Sequence, residues 1–323
     1  MDCWEKFKLL VQKENLIEPG NRVLAAVSGG PDSVCLLHNL WRLKKTVPIE
    51  IYAVTINHGL RVEAWREIKK VEKLCAELKI PLQVESISVK ADSRIKKISI
   101  ETSARFLRYA VFEAAAKRLK CDKIATGHTA NDNAETVLMW LVRGTGTDGA
   151  AGIPLSRSSV SGINIIRPLL SSTREEVMRY VKKQKLPYSL DKSNFSSEYT
   201  RNRIRLEVLP LLKKLNPCFI DHLFNFSQIL ARENEFINSF TRRTIRNAVH
   251  AGKHKIILDL KQFLKYNKAI QSRILKQIMP QNKSAANVEI LRDWILLSHN
   301  NTLKLSDNWR VKRIKNTIVF RNS

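Results

Sequence analysis

Along the first two-thirds of the chain, apolar residues follow two alternating rhythms. Val23 to Val27 is a continuous apolar run; after Ser28-Gly29-Gly30 it gives way to Val34, Leu37, Leu40 and Trp41 at helical spacing. That is the pattern of a buried strand, a tight turn and a helix. The same alternation predicts strands at 49–56, 82–87, 123–126 and 162–166, and helices at 64–78, 100–119, 130–142 and 172–184. Asp2 is placed to cap a short first helix over 3–15, and Pro19-Gly20 turns the chain into the first strand. Strands and helices interleaved in this way predict an α/β fold with a doubly wound, mostly parallel, Rossmann-like sheet covered on both faces. Ligands in such sheets bind beyond the carboxyl ends of the strands, where Ser28, Asn57 and Gly127 fall.

Two connections interrupt the rhythm. Ser88 to Ser99 is rich in Lys and Arg, and Arg143 to Pro154, RGTGTDGAAGIP, holds four glycines and reads as a mobile lid near the rim. Asn216-Pro217 marks the expected boundary between a catalytic domain over 1–216 and a smaller, mainly helical domain over 217–323. In the latter, a helical stretch over 218–249 is followed by two or three shorter helices. Three short alternating runs within 302–320 then predict a β-meander.

Composition narrows the class. The 323 residues are 44% hydrophobic, enough for folded domains. No apolar run is long enough to span a bilayer and the first residues carry charge in place of a signal sequence, so a cytoplasmic protein with no membrane partner is expected. Cys3, Cys35, Cys75, Cys121 and Cys218 are odd in number and widely spaced, which excludes a disulfide framework and a Cys-x-x-Cys pair. The formal charge is +26 and the pI about 10.1, which points to a polyanionic partner, nucleic acid above all. Residues 217–323 carry 19 Lys and Arg against 7 Asp and Glu, nearly twice the net charge per residue of the first 216, so this basic domain is expected to be the one that grips the nucleic acid.

Four groups of residues could carry chemistry. Ser28, Gly29, Gly30, Pro31, Asp32 and Ser33 read as a phosphate cradle: the glycines admit close backbone approach and the helix start presents free amides. It lacks the lysine of the usual mononucleotide loop, and Asp32 would repel a phosphate unless a cation lay between, so a divalent metal is implied. His128, Asp132, Glu135 and Thr136 fall at and beyond a strand end, where the two carboxylates, one helical turn apart, suit a metal and general-base pair or simply complement the helix start. Arg105 and Arg108 share a helix face and could clamp a triphosphate or a substrate carboxylate. Arg201, Arg203 and Arg205 alternate in a stretch preceded by Asp191, Ser193 and Asn194, and suit an RNA backbone.

SGGPDS resembles the PP-loop of the ATP pyrophosphatase superfamily, whose members split ATP between its α and β phosphates. Further blocks occur in order: NHGLR (57–61), ARFLRY (104–109), ATGHTANDNAET (125–136), RGTGTDGAAGIP, RPLL (167–170) and DKSNFSSEYTRNRIR (191–205). With them the chain resembles the tRNA(Ile)-lysidine synthase family over its N-terminal two-thirds, in the family's shorter form, and only loosely beyond. Asn57 departs from the family's usual Asp before HGLR.

The resemblance implies a ligase that uses ATP to adenylate C2 of the wobble cytidine of tRNA(Ile) with a CAU anticodon, then joins free L-lysine there, releasing AMP and pyrophosphate. It implies that Ser28 to Ser33 bind ATP phosphates, that Asp32 and Asp132 hold Mg²⁺, and that Arg105 and Arg108 orient substrate or phosphate. Asp132 or Glu135 would take the proton of the lysine amine, and a homodimer is compatible with it. The alternative within the superfamily is a tRNA thiolase, which needs a reactive cysteine near the site.

Overall fold

The computed structural model describes residues 1–57, 64–189, 200–252, 255–279, 284–297, 302–306 and 309–322. Close contacts divide them into two compact units, residues 1–142 with 152–227, and residues 143–151 with 228–323. The division falls inside a long helix, at Ser227/Gln228, and the glycine-rich stretch 143–151 groups with the C-terminal residues.

In the first unit, helix α1 (Cys3–Lys13) opens with a full capping box, in which Asp2 accepts from the Glu5 amide and the Glu5 carboxylate accepts from the Asp2 amide. Then follow β1 (Arg22–Ala26), α2 (Pro31–Lys44), β2 (Glu50–Asn57), α3 (Ala64–Glu77), β3 (Leu82–Ser86), α4 (Val89–Lys96), α5 (Ile100–Arg118), β4 (Lys123–Ala125) and α6 (Ala130–Val142). After α7 (Thr147–Ala150) come β5 (Ser156–Ser158), β6 (Asn164–Ile166) and α8 (Arg174–Lys183). A last helical stretch joins α9 (Thr200–Arg203), a π turn over Ile204–Val208 and α10 (Leu209–Leu215).

The sheet order is β3-β2-β1-β4-β6-β5. The first five of these strands are parallel and β5 is an antiparallel edge. The chain leaves β1 for β2 on one side and returns to β4 on the other, so the order reverses between β1 and β4, the usual site of a ligand crevice. The doubly wound parallel sheet is as the residue pattern predicts. One core layer joins α1, α2, α3 and α8 to one face of the sheet through Phe7, Leu36, Leu40, Leu74 and Val177; another packs Phe112, Ala115 and Ala116 of α5 on the opposite face. Two elements had no clear signal: α4, whose eight residues are mostly polar, and β5, whose three residues are all exposed.

The second unit contains α7, the C-terminal part of α11 (Phe219–Ala248), β7 (Val249–Ala251), β8 (Lys255–Asp259), α12 (Leu260–Phe263), α13 (Lys268–Ile278), α14 (Ala285–Leu297), β9 (Thr302–Ser306), β10 (Trp309–Ile314) and β11 (Thr317–Asn322). The expected meander is present, with β10 antiparallel to both β9 and β11, and it extends through β8 and β7 to five strands in the order β7-β8-β11-β10-β9. Phe263, Ile274, Leu275, Leu291, Val311, Ile318 and Phe320 form its core. The stretch expected as a lid is pinned within this unit: Asp148 pairs with Arg273 (2.6 Å) and Lys276 (2.6 Å), and the Thr147 hydroxyl donates to Asn234 (2.8 Å).

Candidate functional site

The turn after β1 is built by Ser33. Its hydroxyl accepts from the Ser28 amide (3.1 Å) and donates to the Gly30 carbonyl (2.9 Å), which folds the six residues Ser28 to Ser33 back over the start of α2. Gly29 has a φ of +86°, in the left-handed region, so this position favours glycine. Pro31 occupies the first turn of α2, where its missing amide costs nothing. Asp32 sits beside it, and burial, then the nearby Asp132 charge, pushes its carboxyl up to about 7.

Across the reversal point, the β4 end carries Thr126, Gly127 and His128 into α6. A Cβ on Gly127 would lie 3.0 Å from the Asp32 carbonyl carbon and oxygen, so the two strand ends meet backbone to backbone. His128 Nδ1 is 2.9 Å from the Thr126 hydroxyl, and desolvation holds its pKa down at about 4, so the ring is neutral at physiological pH. Asp132 reaches back to cap its own helix, one oxygen accepting from the Thr129 amide (2.8 Å) and hydroxyl (2.9 Å). Its other oxygen accepts from Arg174 (2.9 Å) and Arg201 (3.2 Å). Glu135, 1% exposed, takes Arg174 on one oxygen and Arg201 on the other, both at 2.7 Å. Desolvation opposes ionisation of Asp132, but the charges of Arg174 and Arg201 and the Thr129 amide hold its carboxyl below the usual range.

The result is a closed quartet of two carboxylates and two guanidinium groups. Arg174 is the first residue of α8, whose capping box uses Thr173 and Glu176, and its amide donates to Asn131 (2.8 Å). The starts of α6 and α8 are joined again by the Ala130 amide on the Ser172 carbonyl. Of the three alternating arginines, Arg201 belongs to this quartet. The charge of Arg205 acts on Asp32, Asp132 and Glu135 from the same helix face, and Arg203 is exposed beside Glu207.

Arg105 and Arg108 are exposed on α5, and the charge of Arg105 acts on His128. The Arg105 guanidinium is 5.5 Å from the centre of the Tyr109 ring and that of Arg157 is 4.8 Å from it. Arg167, 2% exposed at the end of β6, donates to the Pro154 carbonyl, and its charge is felt by the Tyr109 hydroxyl. Asn57 closes β2 and is 8% exposed. His58 to Arg61 and Asp191 to Tyr199 lie outside the described residues.

Sequence reading missed Arg174 and Asn133, and it placed Gly127 at the rim of the sheet without its contact with Asp32. The Thr173-x-x-Glu176 pair marked the helix start that carries Arg174, but nothing local showed which carboxylates it would meet. Asn133 is fully buried, donating to Ser227 (2.9 Å) and accepting from the Ile153 amide (2.8 Å). Among the described residues no cluster of three or more His, Cys, Asp or Glu side chains could hold a metal.

A glycine turn with aspartate in place of lysine, at the reversal point of a parallel sheet and facing a charged quartet on the next strand, defines a PP-loop, ATP-utilising domain. Residues 3–212 match the PP-loop domain family. The chain is 37% identical to a tRNA(Ile)-lysidine synthase of Clostridioides difficile, over 99% of this chain and 70% of that protein. It is 35% identical to one of Clostridium acetobutylicum, over 83% and 57%. A solved U34-tRNA thiolase from Methanococcus maripaludis shares the fold, with a TM-score of 0.60 at 20% identity over 70% of this chain and 78% of that one. The chain belongs to the tRNA(Ile)-lysidine synthase family. It spans between about half and about two-thirds of the length of these two synthases.

Proposed function

We propose that the chain ligates free L-lysine to C2 of the wobble cytidine in tRNA(Ile) with a CAU anticodon. The C2 oxygen attacks the α-phosphorus of ATP and pyrophosphate leaves. The lysine Nζ then attacks C2, loses a proton, and AMP departs with the oxygen. The observation that carries this reading is the PP-loop set against the Asp132–Glu135–Arg174–Arg201 quartet in a chain of this family.

Each group has work to do in that sequence. The amides of Gly29, Gly30, Asp32 and Ser33 receive ATP phosphates, and Arg105 and Arg108 supply further guanidinium groups for phosphate or for the lysine carboxylate. Asp32 fits a divalent cation: burial and the neighbouring Asp132 outweigh the charges of Arg174 and Arg205 and hold its carboxyl up at about 7, so its ionised form gains from a cation. Asp132 can share such an ion only through the oxygen that now faces two arginines. When bound there, Mg²⁺ would neutralise phosphate charge as pyrophosphate leaves. The free amine of lysine has a pKa near ~10.4, so a carboxylate that attracts the ammonium and takes its proton raises the reactive fraction. Asp132 and Glu135 are the carboxylates available beside His128.

A thiolase would need an activated thiol. Cys3 and Cys35 are buried against each other, their hydrogen bond holding Cys3 below and burial pushing Cys35 well above the usual thiol range, and burial pushes Cys75 and Cys121 up to about 12 and 11. The test is incubation of a tRNA(Ile) transcript with labelled lysine, ATP and Mg²⁺. Label should enter tRNA only when cytidine occupies the wobble position, with stoichiometric pyrophosphate. Asp132→Asn should lower turnover at least 100-fold with tRNA affinity within a few-fold of wild type. No label transfer by the wild-type chain, or near-normal turnover by the variant, would sink the respective claim.

A further inference from the structure

The core layer behind the first turns of α2 holds a small polar group that the reaction above does not use. Cys3 is the first residue of α1, and Cys35 lies one turn beyond Asp32 on α2; their sulfurs are 3.6 Å apart and both residues are buried. Asn39, a further turn along α2 and fully buried, aims its amide nitrogen at both, 3.3 Å from the Cys35 sulfur and 4.0 Å from that of Cys3. The Ser172 hydroxyl is 3.6 Å from the Cys3 sulfur, and the Ser172 carbonyl is the one that holds the start of α6. Phe7, Leu36 and Leu40 belong to the same, otherwise apolar, layer. A buried side-chain amide normally satisfies both its ends, yet the Asn39 carbonyl oxygen has no partner and its donor end faces sulfur. An aliphatic residue would fill that place without the polar cost, whereas an amide donor beside two thiols favours the thiolate that begins disulfide chemistry. Cys3 gains further from the free amides at the start of α1, and its hydrogen bond with Cys35 holds its thiol below the usual range.

We infer that Cys3 and Cys35 are a reversible redox pair, closed to a disulfide by a peroxide and reopened by a thiol reductant, and that closure weakens ATP binding at the phosphate turn. The Cys3 thiolate attacks one oxygen of the peroxide: an S–O bond forms, the O–O bond breaks, and the departing hydroxide takes up the proton that Cys3 lost, as water. Cys35 then attacks the sulfenic sulfur. The S–S bond forms, the S–O bond breaks, and the hydroxyl leaves with the Cys35 proton as a second water. Two electrons pass from the sulfurs to the peroxide. Entry needs no global unfolding, because Cys3 stands in the first turn of α1 behind the exposed Met1 and Asp2, and opening that turn alone uncovers its sulfur. A covalent bond brings the sulfurs inside their present contact. Cys35 shares its helix with Asp32 and Ser33, and Cys3 adjoins the Ser172 that ties α8 to α6, so the displacement falls on the helix start that receives phosphate.

The test uses the full chain carrying Cys218→Ser, which removes the exposed thiol and with it coupling between molecules. Folded protein is treated with hydrogen peroxide, alkylated in denaturant and digested. A cross-linked pair of peptides containing Cys3 and Cys35 should appear and should vanish with dithiothreitol, while Cys75 and Cys121 are recovered alkylated. By calorimetry the oxidised protein should bind ATP about fivefold or more weakly, and dithiothreitol should restore affinity to within about twofold. By reciprocity, saturating ATP should disfavour the disulfide by the same factor in a glutathione redox buffer. Cys3→Ser and Cys35→Ala should each bind ATP as the reduced protein does and lose the response to peroxide; Cys3, at a helix end, is the milder site should the second variant fold poorly. Complete alkylation of Cys3 and Cys35 after peroxide would overturn the inference. So would a cross-link that leaves ATP affinity unchanged, or a disulfide equilibrium indifferent to ATP. An equal loss of ATP affinity in peroxide-treated Cys3→Ser protein would also overturn it, since the damage would then lie at another residue. The readout is ATP binding alone, so the result stands whichever reaction the tRNA undergoes.

Discussion

Asp32 shows how one residue can be tuned for a ligand at the expense of the empty protein. Its carboxyl titrates near 7, against an ordinary value of 3.8, because it is desolvated beside another carboxylate. A folded pKa above the unfolded one means that the folded state holds the extra proton between these values, so stability falls as pH rises through that window. Above pH 7 the penalty is complete. Asp32→Asn removes it: without ligand and in EDTA, the variant should melt a few degrees above wild type at pH 8, with the gap closing by pH 4.5, and should lose Mg²⁺-dependent ATP binding. Thermal melts at the two pH values decide the matter, and a gap independent of pH would refute this account. Asp32 was visible in the sequence because it broke a known loop pattern. That Asp132 and Glu135 would be neutralised by Arg174 and Arg201 was not, since those arginines lie 39 and 66 residues beyond Glu135.

At the scale of elements, the site depends on how two strand ends meet. Gly30 drew attention as a loop glycine, yet its φ is −75° and an added Cβ would find nothing nearer than the Ser28 hydroxyl at 3.7 Å. Gly127 was placed only at the rim of the sheet, although a Cβ there would lie 3.0 Å from the Asp32 backbone. Gly30→Ala should therefore leave the melting temperature within about a degree and act on ATP affinity alone. Gly127→Ala should lower the melting temperature by several degrees and ATP affinity by tenfold or more, because the β1 turn must shift to admit it. Melting curves with and without ATP separate the two, and equal melting temperatures would contradict the contact. Helix α6 illustrates the same division. Its start was legible from composition, but the quartet assembles only because the Ala130 amide bonds the Ser172 carbonyl and so abuts α8.

For the whole molecule, composition placed a boundary at Asn216-Pro217, whereas contacts group residues through Ser227 with the first unit. Asp221 pairs with Lys6 at 2.8 Å, Ile220 is 2% exposed, and Phe219 and Leu223 cover Ala134, Ile204 and Leu209. A chain ending at Ser227 should accordingly melt above one ending at Asn216, and both should bind tRNA at least tenfold more weakly than the full chain. The opposite order of melting temperatures would show that the start of α11 adds nothing to the first unit. The sequence by itself determined the α/β alternation, the phosphate turn and the basic C-terminal region, because each is written in neighbouring residues through periodicity, glycine placement or charge. Only the tertiary structure decided that Arg201 answers Glu135, that Gly127 touches Asp32 and that Cys3 meets Cys35. Those relations join positions far apart in the chain, and they are set by strand order and helix packing, which local pattern does not encode.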